Sequence, residues 1–168
     1  IYEGYGHGLP TTKLMHSVCQ TRFDPTRAPA GKHTLYNACW NPYNIKGGAA
    51  RWDEIQEAFA DELLQMLRVH TTNMAAENII WRGIRTPLGF ERYNPAWPEG
   101  DFMHLGSFIE QSQGNRPLIG WGHYRTPVSK LYMCGPSTHP GGGVVGGGRA
   151  AVQVVMEDLG IDFEKVIS

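Results

Sequence analysis

Cysteine is scarce in this sequence, and its histidines are not paired. The 168 residues include three cysteines, Cys19, Cys39 and Cys134, with no Cys-x-x-Cys pair. The seven histidines show neither a His-x-x-x-His nor a His-Glu-x-x-His spacing. Zinc sites depend on such spacings, so the sequence predicts no metal site. A small, odd number of cysteines argues against a disulfide framework and favours a reducing, cytoplasmic compartment.

The sequence also lacks an excess of charge of either sign and lacks long apolar runs. Its 15 Lys and Arg residues nearly balance its 16 Asp and Glu residues, leaving a formal net charge of -1. Because nucleic-acid binding normally requires a basic surplus, we expect no nucleic-acid partner. No apolar run approaches the roughly 20 residues that span a bilayer. Hydrophobic residues still make up 41% of the chain, which is typical of a folded domain or a piece of one.

The first half of the chain predicts two strands followed by a helix. Residues 11–21 and 33–40 are strand-length segments, and the prolines and glycine between them require a turn, so we expect an antiparallel pair. From residue 51 the apolar residues recur every three or four positions, which predicts a helix over 51–69. The apolar residues that set this period are Trp52, Ile55, Phe59, Leu63, Met66 and Leu67.

The second half predicts further short strands and one last helix. Segments 78–85, 101–108 and 130–134 have strand length and composition, and the last of them places Cys134 in a buried strand as a small core residue. The apolar residues from Ala150 onwards predict a helix that ends near Gly160.

A glycine-rich run joins the last predicted strand to the last predicted helix. Residues 135–148 read Gly-Pro-Ser-Thr-His-Pro-Gly-Gly-Gly-Val-Val-Gly-Gly-Gly. Glycines let a backbone approach a ligand closely, and the free N–H groups at a helix start favour negative charge. The run is not a P-loop, because no Gly-Lys-Ser/Thr follows it. It is also not the N-terminal Gly-x-Gly-x-x-Gly fingerprint of a dinucleotide-binding unit, because no strand–helix–strand unit follows it. Composition alone leaves both a flexible turn and a ligand-binding loop open.

The residues around this run resemble a known family. The segment 131–144, Leu-Tyr-Met-Cys-Gly-Pro-Ser-Thr-His-Pro-Gly-Gly-Gly-Val, is similar to the closing motif of phytoene-desaturase-like FAD oxidoreductases. Segments 24–33, 86–92 and 124–127 and the helix from Trp52 resemble other parts of that family, in the same order. The resemblance therefore covers nearly the whole chain, but only the C-terminal third of such an enzyme.

The resemblance implies a fold class and a missing part. The family has an α/β fold of the two-domain FAD/NAD(P)-binding Rossmann type, as in amine oxidases, with an α+β substrate domain. By analogy, residues 1–125 form part of the substrate-binding domain, a mixed sheet with the helix 51–69. Residues 126–168 form the C-terminal strand, loop and helix of the FAD-binding domain. The N-terminal Rossmann unit is absent, so we expect a second polypeptide, from a separate gene or a cleaved precursor, to supply it.

The resemblance also implies a function. Family membership predicts an FAD-dependent oxidoreductase, a dehydrogenase or desaturase that removes hydride from a carbon of a small hydrophobic or alicyclic substrate. This chain would supply the flavin-proximal loop and part of the substrate cavity, and it would be active only with the polypeptide that carries the Rossmann unit. That partner could also provide peripheral membrane contact. The alternative is a non-catalytic accessory subunit that stabilises a flavoprotein partner.

The candidate site residues lie in and before the glycine-rich run. The catalytic residues stay unknown, and His139 and Tyr124 are candidates. His139 could transfer a proton or only fix the loop shape, and Tyr124 could line the substrate cavity or only pack. Thr138 could also bond locally, and Val144 is expected to open the final helix. The cofactor-binding residues implied by the resemblance are Gly135, Thr138, His139, Pro140, Gly141, Gly142, Gly143 and Val144.

Overall fold

The computed structural model describes residues 15–104, 106, 108–142 and 146–167. These residues form both helices and strands, as the α/β class predicts. Short 3-10 turns connect many of the elements. The strands and helices are β1 (Met15–Cys19), β2 (Leu35–Cys39), α1 (Trp52–Arg68), α2 (Pro87–Tyr93), α3 (Gly147–Asp158) and α4 (Phe163–Ile167).

The antiparallel strand pair predicted in the first half is confirmed. β1 pairs with β2 in a register that runs from Met15 opposite Cys39 to Cys19 opposite Leu35. In the connection between them, the Asp24 carboxylate accepts a hydrogen bond of 3.1 Å from the Thr26 backbone N–H and caps a short turn. Such side-chain acceptors stabilise turns that have no ladder partner. Residues 11–14 of the predicted first strand lie outside the described residues.

Helix α1 carries the core of the first half and confirms the helix predicted over 51–69. Trp52 is almost fully buried and packs edge to face on Phe59, with 5.5 Å between ring centroids. Its indole N–H donates to the Tyr43 carbonyl at 3.1 Å, so the buried polar atom is satisfied. Ile45 and Leu88 complete this cluster of buried residues.

The strand predicted over 78–85 is wrong. A short helical turn covers Ala76–Asn78, and residues 79–84 follow without joining a sheet. Arg82 fixes this segment to α1 through ion pairs of 2.5 Å with both Glu57 and Asp61. A strand requires a neighbour to take up its backbone hydrogen bonds, and within the described residues β1 and β2 are the strands that form a sheet.

The later strand predictions also fail for lack of partners. In the segment 130–134, Tyr132 forms one isolated bridge with Arg125, and Cys134 is exposed rather than a buried core residue. In the segment predicted over 101–108, residues 102 and 103 form a turn, and residues 105 and 107 lie outside the described residues. The final helix is confirmed as α3, but it begins at Gly147 rather than at Val144.

The chain divides into two compact units between Gly89 and Phe90. The first unit contains β1, β2 and α1, and the second contains α3 and α4. In the second unit, Trp97 lies at the centre of an aromatic cluster, within about 6 Å of Phe90, Tyr93 and His104. The division of the complete fold at residues 125 and 126 into substrate and cofactor domains stays a prediction.

Apolar side chains are exposed in both units. Trp81 and Phe23 of the first unit are 82% and 87% exposed, and Ile109 and Ile119 of the second are 82% and 83% exposed. A folded domain usually buries most large apolar side chains, because exposed apolar area is unfavourable in water. Both units therefore present exposed apolar surface.

We predict that the isolated chain unfolds without a sharp cooperative transition. The described core is small and several apolar side chains are exposed, so little packing free energy separates folded from loosely packed states. The measurement is a thermal melt followed by near-ultraviolet circular dichroism, together with binding of a hydrophobic dye. A steep melt of the purified chain without dye binding would contradict the prediction.

Candidate functional site

The candidate site is the glycine loop, defined here as residues 135–142, which leads towards helix α3. Gly135 and Gly141 have φ values of 117° and 119°, and Gly146, the residue before α3, has 76°. Residues with a Cβ rarely adopt the angles of Gly135 and Gly141, so the backbone favours glycine there, whereas Gly146 lies in the left-handed helical region that asparagine can also adopt. Gly143 and Val144, both predicted to bind the cofactor, lie outside the described residues.

Thr138 closes the first turn of the loop. Its hydroxyl donates to the Gly135 carbonyl at 2.8 Å, and its backbone N–H donates to the same oxygen at 3.0 Å. The residue is buried, with 3% of its surface exposed. The local hydrogen bond expected for Thr138 is thus present, and its binding to a cofactor stays a prediction.

The structure brings the two candidate proton-transfer residues together. The rings of Tyr124 and His139 lie 6.4 Å apart between centroids, at 59°. Tyr124 is buried and has a φ of 66°, an unusual value for a bulky residue that the surrounding structure must impose. The Nδ1 atom of His139 is buried and has no hydrogen-bond partner among the described residues. A role for either residue in proton transfer stays a prediction.

The chain itself fills the space that a side chain would need at Gly142, at the end of the loop. A Cβ on Gly142 would collide with the Met103 side chain, and one on Gly141 would lie 3.7 Å from the Cδ of Arg116. By contrast, a Cβ on Gly135 or Gly146 would meet no atom of the described residues within 4 Å. The absence of a side chain at Gly142 is therefore explained by packing within the chain, whereas no described residue occupies the space beside Gly135 or Gly146.

Arg116 is a buried residue of the site that sequence reasoning missed. Only 3% of its surface is exposed. Its guanidinium donates to the Pro136 carbonyl in the loop at 3.1 Å and to the Gly106 carbonyl at 3.2 Å. In the sequence it is one arginine in a polar, glycine-rich segment. No local pattern marks it, since its partners lie 10 and 20 residues away.

A charged cluster ties the segment before the loop to the end of α3. Arg125 bonds to both oxygens of Asp158, at 2.8 to 3.2 Å, and to Glu157 at 2.8 Å. The Tyr132 hydroxyl donates to Asp158 at 2.8 Å. The hydrogen bond from Arg125, followed by that from Tyr132, lowers the pKa of Asp158. The same contact with Asp158 raises the pKa of Tyr132. These contacts join the segment before the glycine loop to the last turn of α3.

The described residues contain no group of three or more His, Cys, Asp or Glu residues that could hold a metal ion. Across the same residues, each helix is too short or too polar to cross a membrane.

Comparison with known proteins finds relatives along nearly the whole chain. The sequence is 34% identical, over 94% of its length, to "Pyridine nucleotide-disulfide oxidoreductase domain-containing protein 2" of Rattus norvegicus. It is 30% identical, over 88% of its length, to a subunit of the limonene dehydrogenase of Castellaniella defragrans. It is also 30% identical, over 95% of its length, to the lycopene-forming phytoene desaturase of a Paracoccus species. No family model matches the chain, and no solved structure matches it.

These relatives define the class of the chain. It is homologous to a C-terminal portion of phytoene-desaturase-like oxidoreductases, so the resemblance of its closing motif is confirmed. The chain spans 27%, 28% and 31% of the length of the three relatives named above.

We predict that Asp158→Asn loosens the end of α3 in a pH-dependent way. Folding lowers the pKa of Asp158, so its contribution to stability is present above the ordinary pKa of 3.8 and is lost as pH falls through the lower folded value. Amide exchange in the last turn of α3 should therefore be faster in Asp158→Asn than in the wild type at neutral pH. The difference should shrink when both proteins are compared in acid.

The matched control is Glu157→Gln, which removes one bond of Arg125 and leaves its contact with Asp158. Its effect on exchange should be smaller. Equal exchange in the wild type and Asp158→Asn at neutral pH would refute the role assigned to this cluster.

Proposed function

We propose that this chain supplies the flavin-proximal loop and part of the substrate cavity of an FAD-dependent oxidoreductase. One observation carries the proposal: within the family's closing motif, Gly135 and Gly141 have positive φ values that favour glycine, and α3 begins shortly after the motif, at Gly147. The relatives' names, which include oxidoreductase, dehydrogenase and desaturase, support the same class of activity.

The geometry of the glycine loop fits a flat, polar cofactor. Gly135 and Gly146 border space in which an added Cβ meets nothing within 4 Å, so a ligand can approach the backbone there. The buried Nδ1 of His139 has no partner within the described part of the chain and could bond a polar ligand group. The free N–H groups at the start of α3 favour negative charge beside the loop. These features support FAD as the ligand.

In this proposal the chemistry that FAD would supply is acceptance of a hydride from a substrate carbon, and the chain would provide orientation and proton handling. The loop backbone would hold the cofactor, and Thr138 keeps the first turn closed through its bond to Gly135. His139 holds or accepts a proton at Nδ1, and the buried ring of Tyr124 excludes water beside it. Because two relatives are named for phytoene and limonene, we propose a hydrophobic or alicyclic substrate.

We further propose that a second polypeptide, carrying the N-terminal Rossmann unit, completes the enzyme. The relative from Castellaniella defragrans is named as one subunit of its dehydrogenase, which supports an assembly of several chains. The exposed Trp81 and Ile80 of the first unit and Ile109 and Ile119 of the second support extensive contact with further protein.

We predict that the isolated chain does not retain FAD. The adenosine and pyrophosphate of such a cofactor are held by a Rossmann unit, and the described residues form a two-stranded antiparallel sheet rather than a unit of that kind. The measurement is absorbance at about 450 nm, characteristic of an oxidised flavin, after gel filtration of the chain with FAD. The same measurement on the complex captured through a tag on this chain should show bound flavin. A stoichiometric yellow complex with the isolated chain would contradict the prediction.

We predict that Gly146→Asn lowers FAD retention in the assembled enzyme by about tenfold or more. Asparagine tolerates left-handed backbone, so this change places a side chain in the open space beside the loop with little strain. The measurement is the dissociation constant of FAD. It is obtained by removing the flavin from the enzyme and titrating FAD back while its fluorescence is followed.

The matched control is Gly160→Asn. Gly160 has a φ of 69°, close to the 76° of Gly146, and a Cβ there also meets nothing within 4 Å, but it lies after the end of α3. This variant should bind FAD as the wild type does. Equal retention in both variants would remove the support for a flavin beside the loop.

A further inference from the structure

Arg116 joins separate segments of the second unit through its guanidinium. Its nitrogens donate to backbone carbonyls at distances of 3.1 to 3.4 Å, and 3% of the residue is exposed. The carbonyls that accept these bonds belong to Met103, Gly106, Gln111 and Pro136.

Arg116 thereby links the glycine loop to the segment 103–111 at three points. The bond to Pro136 lies at the start of the loop, just before the turn closed by Thr138. Near the other end of the loop, Gly141 lies against the Arg116 side chain, and Gly142 lies against Met103, whose carbonyl Arg116 also binds. The loop is thus held from both ends by one side chain and its neighbour.

The arrangement depends on the shape of arginine as well as on its charge. Burying a charged group is costly unless hydrogen bonds replace its hydration, and here backbone carbonyls do so. A guanidinium has five N–H donors fixed in a plane, so it can reach carbonyls of different segments at once. A lysine has the same charge but one compact ammonium group, which cannot reproduce this set of bonds.

We propose that Arg116 is the positioning residue of the glycine loop, fixing the loop in the shape that receives the flavin. This inference rests on the proposed function. Arg116 acts through the backbone of the loop, and its geometry rather than its charge sets how tightly the cofactor is held.

The test compares Arg116→Lys and Arg116→Gln with the wild type in the complex captured through a tag on this chain. Hydrogen–deuterium exchange should become faster in residues 103–111 and 135–142 in both variants, while α1 exchanges as before. Dissociation of added FAD should also become faster in both variants, by about tenfold or more, the scale of one lost hydrogen bond to a charged group.

Arg68→Lys and Arg68→Gln are the matched controls. Arg68 lies on α1 in the first unit, and its guanidinium also donates to a backbone carbonyl, that of Met74, at 2.7 Å. The same two substitutions there should leave both the exchange of the loop and the dissociation of FAD unchanged. If Arg116→Gln fails to fold, Arg116→Lys, which keeps the charge and the length of the side chain, decides the question.

Wild-type exchange and FAD dissociation in Arg116→Lys would overturn the inference, because charge alone would then suffice. Faster loop exchange with unchanged FAD dissociation would also overturn it, while the comparison of Gly146→Asn with Gly160→Asn still tests the flavin site. A wild-type complex that holds no FAD would refute the proposed function and, with it, this role in the flavin site. The exchange measurement would show separately whether the guanidinium fixes the loop.

Discussion

The structure of this chain depends on where its backbone hydrogen bonds find partners. β1 and β2 form because one turn-rich connection brings the two strands side by side. The backbone N–H and C=O groups of each strand then bond to those of the other. The segment after Ala76–Asn78 has strand composition but no neighbouring strand among the described residues of its unit, and Trp81 is left 82% exposed. In the second unit, the bridge between Arg125 and Tyr132 is a single pair rather than a ladder.

In the glycine loop, side chains provide partners for the backbone carbonyls. Its turns are closed by side chains rather than by a ladder: Thr138 bonds to Gly135, and Arg116 bonds to Pro136. Met103 fills the space beside Gly142, so the backbone of the loop is packed from one side by the chain itself. A loop held in this way keeps its shape before any ligand arrives, and preorganisation of this kind lowers the free-energy cost of binding.

The sequence allowed the local elements to be predicted, and the elements that depend on distant partners were missed. Helix α1 follows from apolar residues every three or four positions, and the β1–β2 pair follows from a turn-rich connection. The segments 78–85 and 130–134 have the composition of strands, but composition cannot show whether a neighbour is present. Arg116 was missed for the same reason, since its carbonyl partners lie up to 20 residues away. The motif located the loop, whereas the proximity of Tyr124 and His139 required the fold.

The contacts of His139 help to decide between the two functions considered for this chain, a part of the catalytic site and a non-catalytic accessory subunit. An accessory chain needs a stable loop, and stability alone favours satisfied polar atoms and relaxed backbone. Here the Nδ1 of His139 is buried with no partner in the described part of the chain, and the neighbouring Tyr124 has left-handed backbone. Both features cost free energy, and such costs are concentrated at sites where a ligand or a reaction supplies the missing interaction. These features support our proposal of a loop that contacts the cofactor and handles protons over one that only covers it.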